Sequence, residues 1–156
     1  MGKKLSAMLQ RPFIDLDEFI EKREQKSIVL IFQDEGEAYF RRVEEQALAD
    51  ILNCPPLVLA TGGGTVLSPQ NRALMQTKGT VIFLDASLET IAARTAGCQS
   101  RPLLQNSGTF RIEKIKGLLQ NRKPLYETAA LKIKTDNLSL EQIARLIVKK
   151  ISPTNR

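Results

Sequence analysis

Histidine is absent from this chain, and cysteine occurs only at Cys54 and Cys98. With no imidazole and no closely paired thiols, neither a zinc site nor a disulfide framework is expected, and reduced thiols in a cytoplasmic protein are the default. Aromatic residues make up only 5% of the sequence, so no base-stacking platform for nucleic acid is visible. The net charge of +6 is scattered along the chain, and small anionic ligands explain it at least as well as nucleic acid does. Long apolar runs are missing too: Ile28 to Phe32 is far short of the ~20 residues of a membrane span. The first ten residues hold Lys3 and Lys4 but no apolar segment of a secretory signal. Met1-Gly2-Lys3-Lys4-Leu5-Ser6 fits the permissive myristoylation pattern; an ordinary helix start accounts for the same residues.

What is present is ordinary for a globular protein: 156 residues, 42% hydrophobic and 26% charged. One domain over 1–156 with a real core is expected. Its centre is Leu57 to Ser68, LVLATGGGTVLS. Four apolar residues followed by Thr61 and three glycines read as a buried strand whose exit leaves room for backbone to approach a ligand. Around it, strands are expected at Pro12–Asp17, Thr80–Asp85 and Leu131–Thr135. Ser27–Phe32 fits either a strand or a buried helix.

Helices are expected at residues 3–10, with Leu5, Met8 and Leu9 on one face, then from Glu18 to about Arg23 and from Glu35 to Leu52. Further helices are expected from Ser68-Pro69 to about Lys78 and from Ser87 to about Ala96, each with a capping serine. A helix from about Thr109 to Arg122 stops near Pro124, and the last opens with the capping box Ser139-Leu140-Glu141-Gln142. Residues 97–108 have no clear period and read as a lid. Strands alternating with helices predict a parallel sheet covered on both faces, with ligands at the strands' carboxyl ends.

Several side chains are candidates for chemistry, each with a plainer alternative. Asp15 and Asp17, two apart on a strand, would face one cleft and hold a hydroxyl and a hydrated magnesium ion; the alternative is a pair of turn residues leading into a helix. Arg41 lies one turn after Glu37, where an arginine is more often a solvated salt-bridge partner than a ligand contact. Gly62, Gly63 and Gly64 forfeit chain entropy with no packing in return, which favours a ligand-facing corner. Arg101 and Arg122 are each followed by a proline within two residues, and their planar forks suit carboxylate or phosphate oxygens. Arg94 ends its helix, where it complements the dipole or contacts a nucleotide.

In order and spacing, FIDLDEFIE, DEGEAYFRRVEEQAL, VLATGGGTV, RPLL and NRKPLYE closely resemble the shikimate kinase family, from about Gly2 to Ile151. The resemblance implies a three-layer α/β/α parallel sheet of the P-loop nucleoside-monophosphate-kinase type, in a cytoplasmic monomer with no nucleic-acid or membrane partner. It implies that Asp17 orients the attacking shikimate hydroxyl and that Arg41, the Gly62–Gly64 corner and Arg122 hold shikimate. It implies that Asp15 lies near Mg2+ and holds it through water, that Arg101 touches ATP phosphates and that Arg94 borders the adenine. The reaction implied is transfer of the terminal phosphoryl group of ATP to the 3-hydroxyl of shikimate, in aromatic amino-acid biosynthesis.

One family part has no match in these residues, the phosphate loop G-x-x-x-x-G-K-[ST]. The resemblance implies that this loop and the central strand before it are missing upstream of Met1. Two neighbouring strands would then have unpaired facing edges, and the chain as written would be poor in turnover. The alternative is a non-catalytic shikimate-binding or regulatory protein derived from the kinase.

Overall fold

The computed structural model describes residues 1–95 and 109–152. The chain opens with α1 (Gly2–Leu9), which has no side-chain cap. It buries Leu5, while Met8, expected on the same face, is 37% exposed. Next come β1 (Phe13–Asp15) and α2 (Leu16–Glu24). Here the structure corrects the sequence reading: the strand stops at Asp15, so Asp15 and Asp17 do not share a strand face. The Asp15 carboxylate accepts from the backbone N–H groups of Asp17 (3.0 Å) and Glu18 (3.4 Å), capping α2 two residues earlier than the apolar alternation suggested.

The undecided Ser27–Phe32 stretch is helical, α3 (Ile28–Asp34), with the Ser27 hydroxyl as its cap. Gly36, at φ +83°, breaks the chain between α3 and α4 (Gly36–Leu52). In α4 the stripe Phe40, Val43, Ala47, Leu48 and Ile51 is buried as its helical period requires. β2 (Val58–Ala60) leads through the glycines into a 3-10 turn (Thr65–Leu67) and α5 (Pro69–Lys78), capped by Ser68. β3 (Ile82–Asp85), α6 (Leu88–Thr95), α7 (Thr109–Tyr126), β4 (Leu131–Lys134) and α8 (Leu140–Ile151) follow. α7 does not stop before Pro124 but carries it inside its last turn and ends at Tyr126. The capping box at Ser139 is formed, with Gln142 as the reciprocal partner. The expected lid, residues 97–108, lies outside the described residues.

The strands make two parallel pairs: β1 beside β2, and β3 beside β4. Both pairs pack between two helical layers. Leu59 and Val81 pack on the cluster built from α2 to α5, around Leu16, Ile20, Leu48 and Ile51. Val58 and Ile82 face the opposite cluster, where α1 and α8 contribute Leu5, Ile143 and Ile147. Side chains at successive strand positions point to opposite layers, which yields the three-layer α/β/α arrangement. Each fully buried leucine or isoleucine of these layers is worth about 1.5–3 kcal/mol in transfer free energy. No helix among the described residues is long and apolar enough to cross a membrane.

Candidate active site

The carboxyl ends of β1 and β2 bring three elements onto the glycine corner. No glycine there has a positive φ, so its use is space and not backbone freedom. A Cβ on Gly62 would lie 3.3 Å from Asp17 Oδ1, and one on Gly63 would lie 3.0 Å from the Tyr126 hydroxyl and 3.8 Å from Arg122 Nη1. On Gly64 it would lie 2.7 Å from both terminal nitrogens of Arg41. Successive glycines therefore face an acid and two guanidinium groups in turn, and any side chain would occupy the room between them.

Arg41 is fixed from below. Its Nη1 donates to Glu44 Oε2 (2.8 Å), while Nη2 and Nε donate to Glu37 Oε1 (3.1 and 3.3 Å). Burial works against the charge on Arg41, but the hydrogen bond and charge of Glu44, then those of Glu37, outweigh it and hold the guanidinium above its ordinary value. Of five guanidinium N–H groups, these bonds leave two for a ligand. Glu44 is 1% exposed; its Oε1 accepts from the Thr65 hydroxyl at 2.8 Å, and Asn71 Nδ2 donates to the Thr65 carbonyl at 3.2 Å. A buried carboxylate must be paired to be tolerated, and this one ties α4 to the turn after the glycines and to α5.

Sequence reasoning missed Glu44, Thr65 and Asn71. The signal was there for Glu44: it interrupts the apolar stripe of α4 between Phe40 and Leu48. Tyr126 was also missed as a contact. Its hydroxyl donates to the Gly63 carbonyl at 2.7 Å, and its ring stacks on Phe83 with centroids 5.0 Å apart. That bond joins the end of α7, which bears Arg122, to the glycine corner.

The remaining candidates stand apart. Arg94 donates through Nη1 to the Thr135 hydroxyl (2.9 Å) and through Nη2 to the Thr135 carbonyl (2.8 Å), spanning from α6 to the end of β4. Arg101 lies outside the described residues. Asp15 spends Oδ1 on its cap, which leaves Oδ2 as an acceptor. One carboxylate oxygen suits magnesium, which keeps most of its waters and is held largely by substrate phosphates. No group of three metal-ligating side chains occurs among the described residues.

The parallel α/β fold is of the nucleoside-monophosphate-kinase type, and the candidate site at its strand ends combines an acid, a side-chain-free corner and two guanidinium forks. The chain belongs to the shikimate kinase family, whose family model matches residues 1–152. It is 40% identical to the shikimate kinase of Sulfurihydrogenibium sp. (strain YO3AOP1) over 151 residues, 97% of this chain and 89% of that protein. Against the shikimate kinase of Nitrosospira multiformis it is 39% identical over 157 residues, covering 100% of this chain and 80% of the relative. Among solved structures, shikimate kinase from Acinetobacter baumannii in complex with shikimate superposes with a TM-score of 0.91 at 36% identity, over 96% of this chain and 83% of that one. The Bacteroides thetaiotaomicron shikimate kinase gives 0.88 at 30% identity, over 96% of this chain and 88% of that one.

Proposed function

We propose that the corner of Gly62, Gly63 and Gly64 with Asp17, Arg41 and Arg122 binds shikimate, and that this protein transfers the terminal phosphoryl group of ATP to its 3-hydroxyl. The observation that carries the reading is that successive glycines face the acid and both guanidinium groups. Two forks supply paired N–H donors for a carboxylate, while Asp17 on the far side accepts the hydrogen bond of the attacking hydroxyl and takes up its proton. Held this way, the alcohol is oriented before the donor arrives, and orientation is a large part of what such transfers need. Asp15, with Oδ2 free of its cap, would hold a hydrated magnesium ion, which would supply charge neutralisation for the transfer. Arg94, anchored on Thr135, would flank the adenine, and Arg101 would meet the phosphates.

Phosphorus NMR of the protein incubated with ATP, magnesium and shikimate tests this reading against that of a protein that binds shikimate without phosphorylating it. The kinase reading expects a new phosphate monoester whose formation falls about 10²–10⁴-fold in Asp17→Asn, as expected for loss of a general base. Shikimate binding with no ester formed would establish the binding protein instead.

A further inference from the structure

The two arginines of the corner are held in different ways. Arg41 is bonded to Glu44 and Glu37, whereas Arg122 pairs with no carboxylate and donates to no carbonyl among the described residues. Its whole fork is therefore open to a ligand, but no side-chain bond fixes where the fork sits. Its place is set by the end of α7, and Pro124 weakens that end. A proline has no N–H, so the Gln120 carbonyl loses its usual helical partner.

What anchors the end of α7 is Tyr126, one turn on from Arg122 and on the same face of the helix. Its hydroxyl donates to the Gly63 carbonyl at 2.7 Å. Its ring stacks on Phe83 of β3, 20° from parallel with centroids 5.0 Å apart. Phe83 belongs to a tied patch: the Lys132 ammonium lies 5.6 Å from its ring centre and pairs with Asp85 (3.4 Å) and with Glu127 (3.5 Å), the residue after Tyr126. Gln76 of α5 adds a bond to the Thr128 carbonyl at 3.3 Å. Of these ties, the hydroxyl is the one that touches the corner, and it does so at the glycine that Arg122 faces. A Cβ on Gly63 would meet the Tyr126 hydroxyl at 3.0 Å and Arg122 Nη1 at 3.8 Å.

We propose that Tyr126 is a positioning residue: the bond from its hydroxyl to the Gly63 carbonyl sets the Arg122 fork against the glycine corner, and with it the affinity for an anionic substrate. A guanidinium already in place when the ligand arrives loses less freedom on binding, which matters most for a side chain with no internal counter-charge to hold it. The same bond fixes the plane of the Gly63–Gly64 peptide, so helix and corner are set relative to each other at one point. For the identity of the anion the inference rests on the shikimate reading.

The test is Tyr126→Phe, which removes the hydroxyl and keeps the ring on Phe83, read in two ways on the full chain. In ligand-free protein the Nε–H signals of isotope-labelled arginine are compared by NMR, with Arg122 and Arg41 assigned from Arg122→Ala and Arg41→Ala. The Arg122 signal is expected to move or broaden while that of Arg41 stays. Shikimate is then titrated into the parent, the single variants and the two double variants, with NMR reading Kd into the millimolar range. Tyr126→Phe is expected to weaken binding about fivefold, the scale of one hydrogen bond, both alone and beside Arg41→Ala. Beside Arg122→Ala it is expected to cost less than about twofold, since a residue acting through another loses its effect when that one is gone. An unmoved Arg122 signal, shikimate bound as tightly by Tyr126→Phe as by the parent, or an equal loss of affinity with and without Arg122 would overturn the proposal. A parent that binds no shikimate while Tyr126→Phe still moves the Arg122 signal would overturn the shikimate reading and uphold the positioning.

Discussion

Glu44 is the residue on which the site leans most. It pairs with Arg41, accepts from Thr65 and lies in the α4 core stripe, so removing it leaves a half-buried guanidinium with only the exposed Glu37 as carboxylate partner. Glu44→Ala is expected to cost about 3 kcal/mol in urea denaturation, the low end for breaking a buried pair because Arg41 retains some exposure. A loss under about 1 kcal/mol would show the pair to be a surface contact in effect. Gly64→Ala acts on the same guanidinium from the substrate side. The added methyl group meets the Arg41 guanidinium, which must shift away from the ligand and strain its bonds to Glu44 and Glu37. The expected outcome is a rise in shikimate KM or Kd of about tenfold, or about 1.4 kcal/mol, with a smaller loss of stability in urea than Glu44→Ala shows. At this scale the sequence singled out residues whose type stands out, such as the three glycines and Arg122, which the structure brings to one corner. It was not readable for Thr65 and Asn71, whose roles come from neighbours 21 and 6 residues away.

At the scale of elements, helices with caps and strong periods were legible: Ser68, Ser87 and Ser139 each marked a start, because a hydroxyl accepting from an early N–H is a local event. Ser139→Ala should therefore cost about 1 kcal/mol by thermal or urea unfolding. The end of β1 was misread because alternation continued through Leu16 and Asp17 while the Asp15 cap had already begun a helix. The stop before Pro124 was misread because that proline is accommodated within the helix. Asp136 gives the elements a pH signature. The Thr90 hydroxyl, then the Ser87 amide, hold its carboxyl at about 2, tying the loop after β4 to the start of α6. A carboxyl depressed on folding adds stability that is complete above its unfolded value, ~3.9, and is lost as pH falls through its folded one. Acid titration of Asp136→Asn should lack this component between pH 4 and 2, and identical acid curves for variant and parent would contradict the assignment.

For the molecule as a whole, α/β class and parallel strands followed from the alternation of strand and helix patterns. The split of the strands into two pairs is invisible to periodicity, because nothing in an apolar run says which neighbour its backbone will find. The chemistry rests on one spatial claim, that Asp17, the glycine corner, Arg41 and Arg122 surround a single hollow sized for one acid alcohol. Isothermal titration of shikimate into the protein, beside Arg41→Ala and Arg122→Ala with folding checked by circular dichroism, tests that claim most directly. The account predicts one shikimate per chain, with both variants folded and weakened at least about tenfold, as befits charge-assisted pairs. A folded parent that binds no shikimate, or arginine variants that bind it as tightly as the parent, would contradict it.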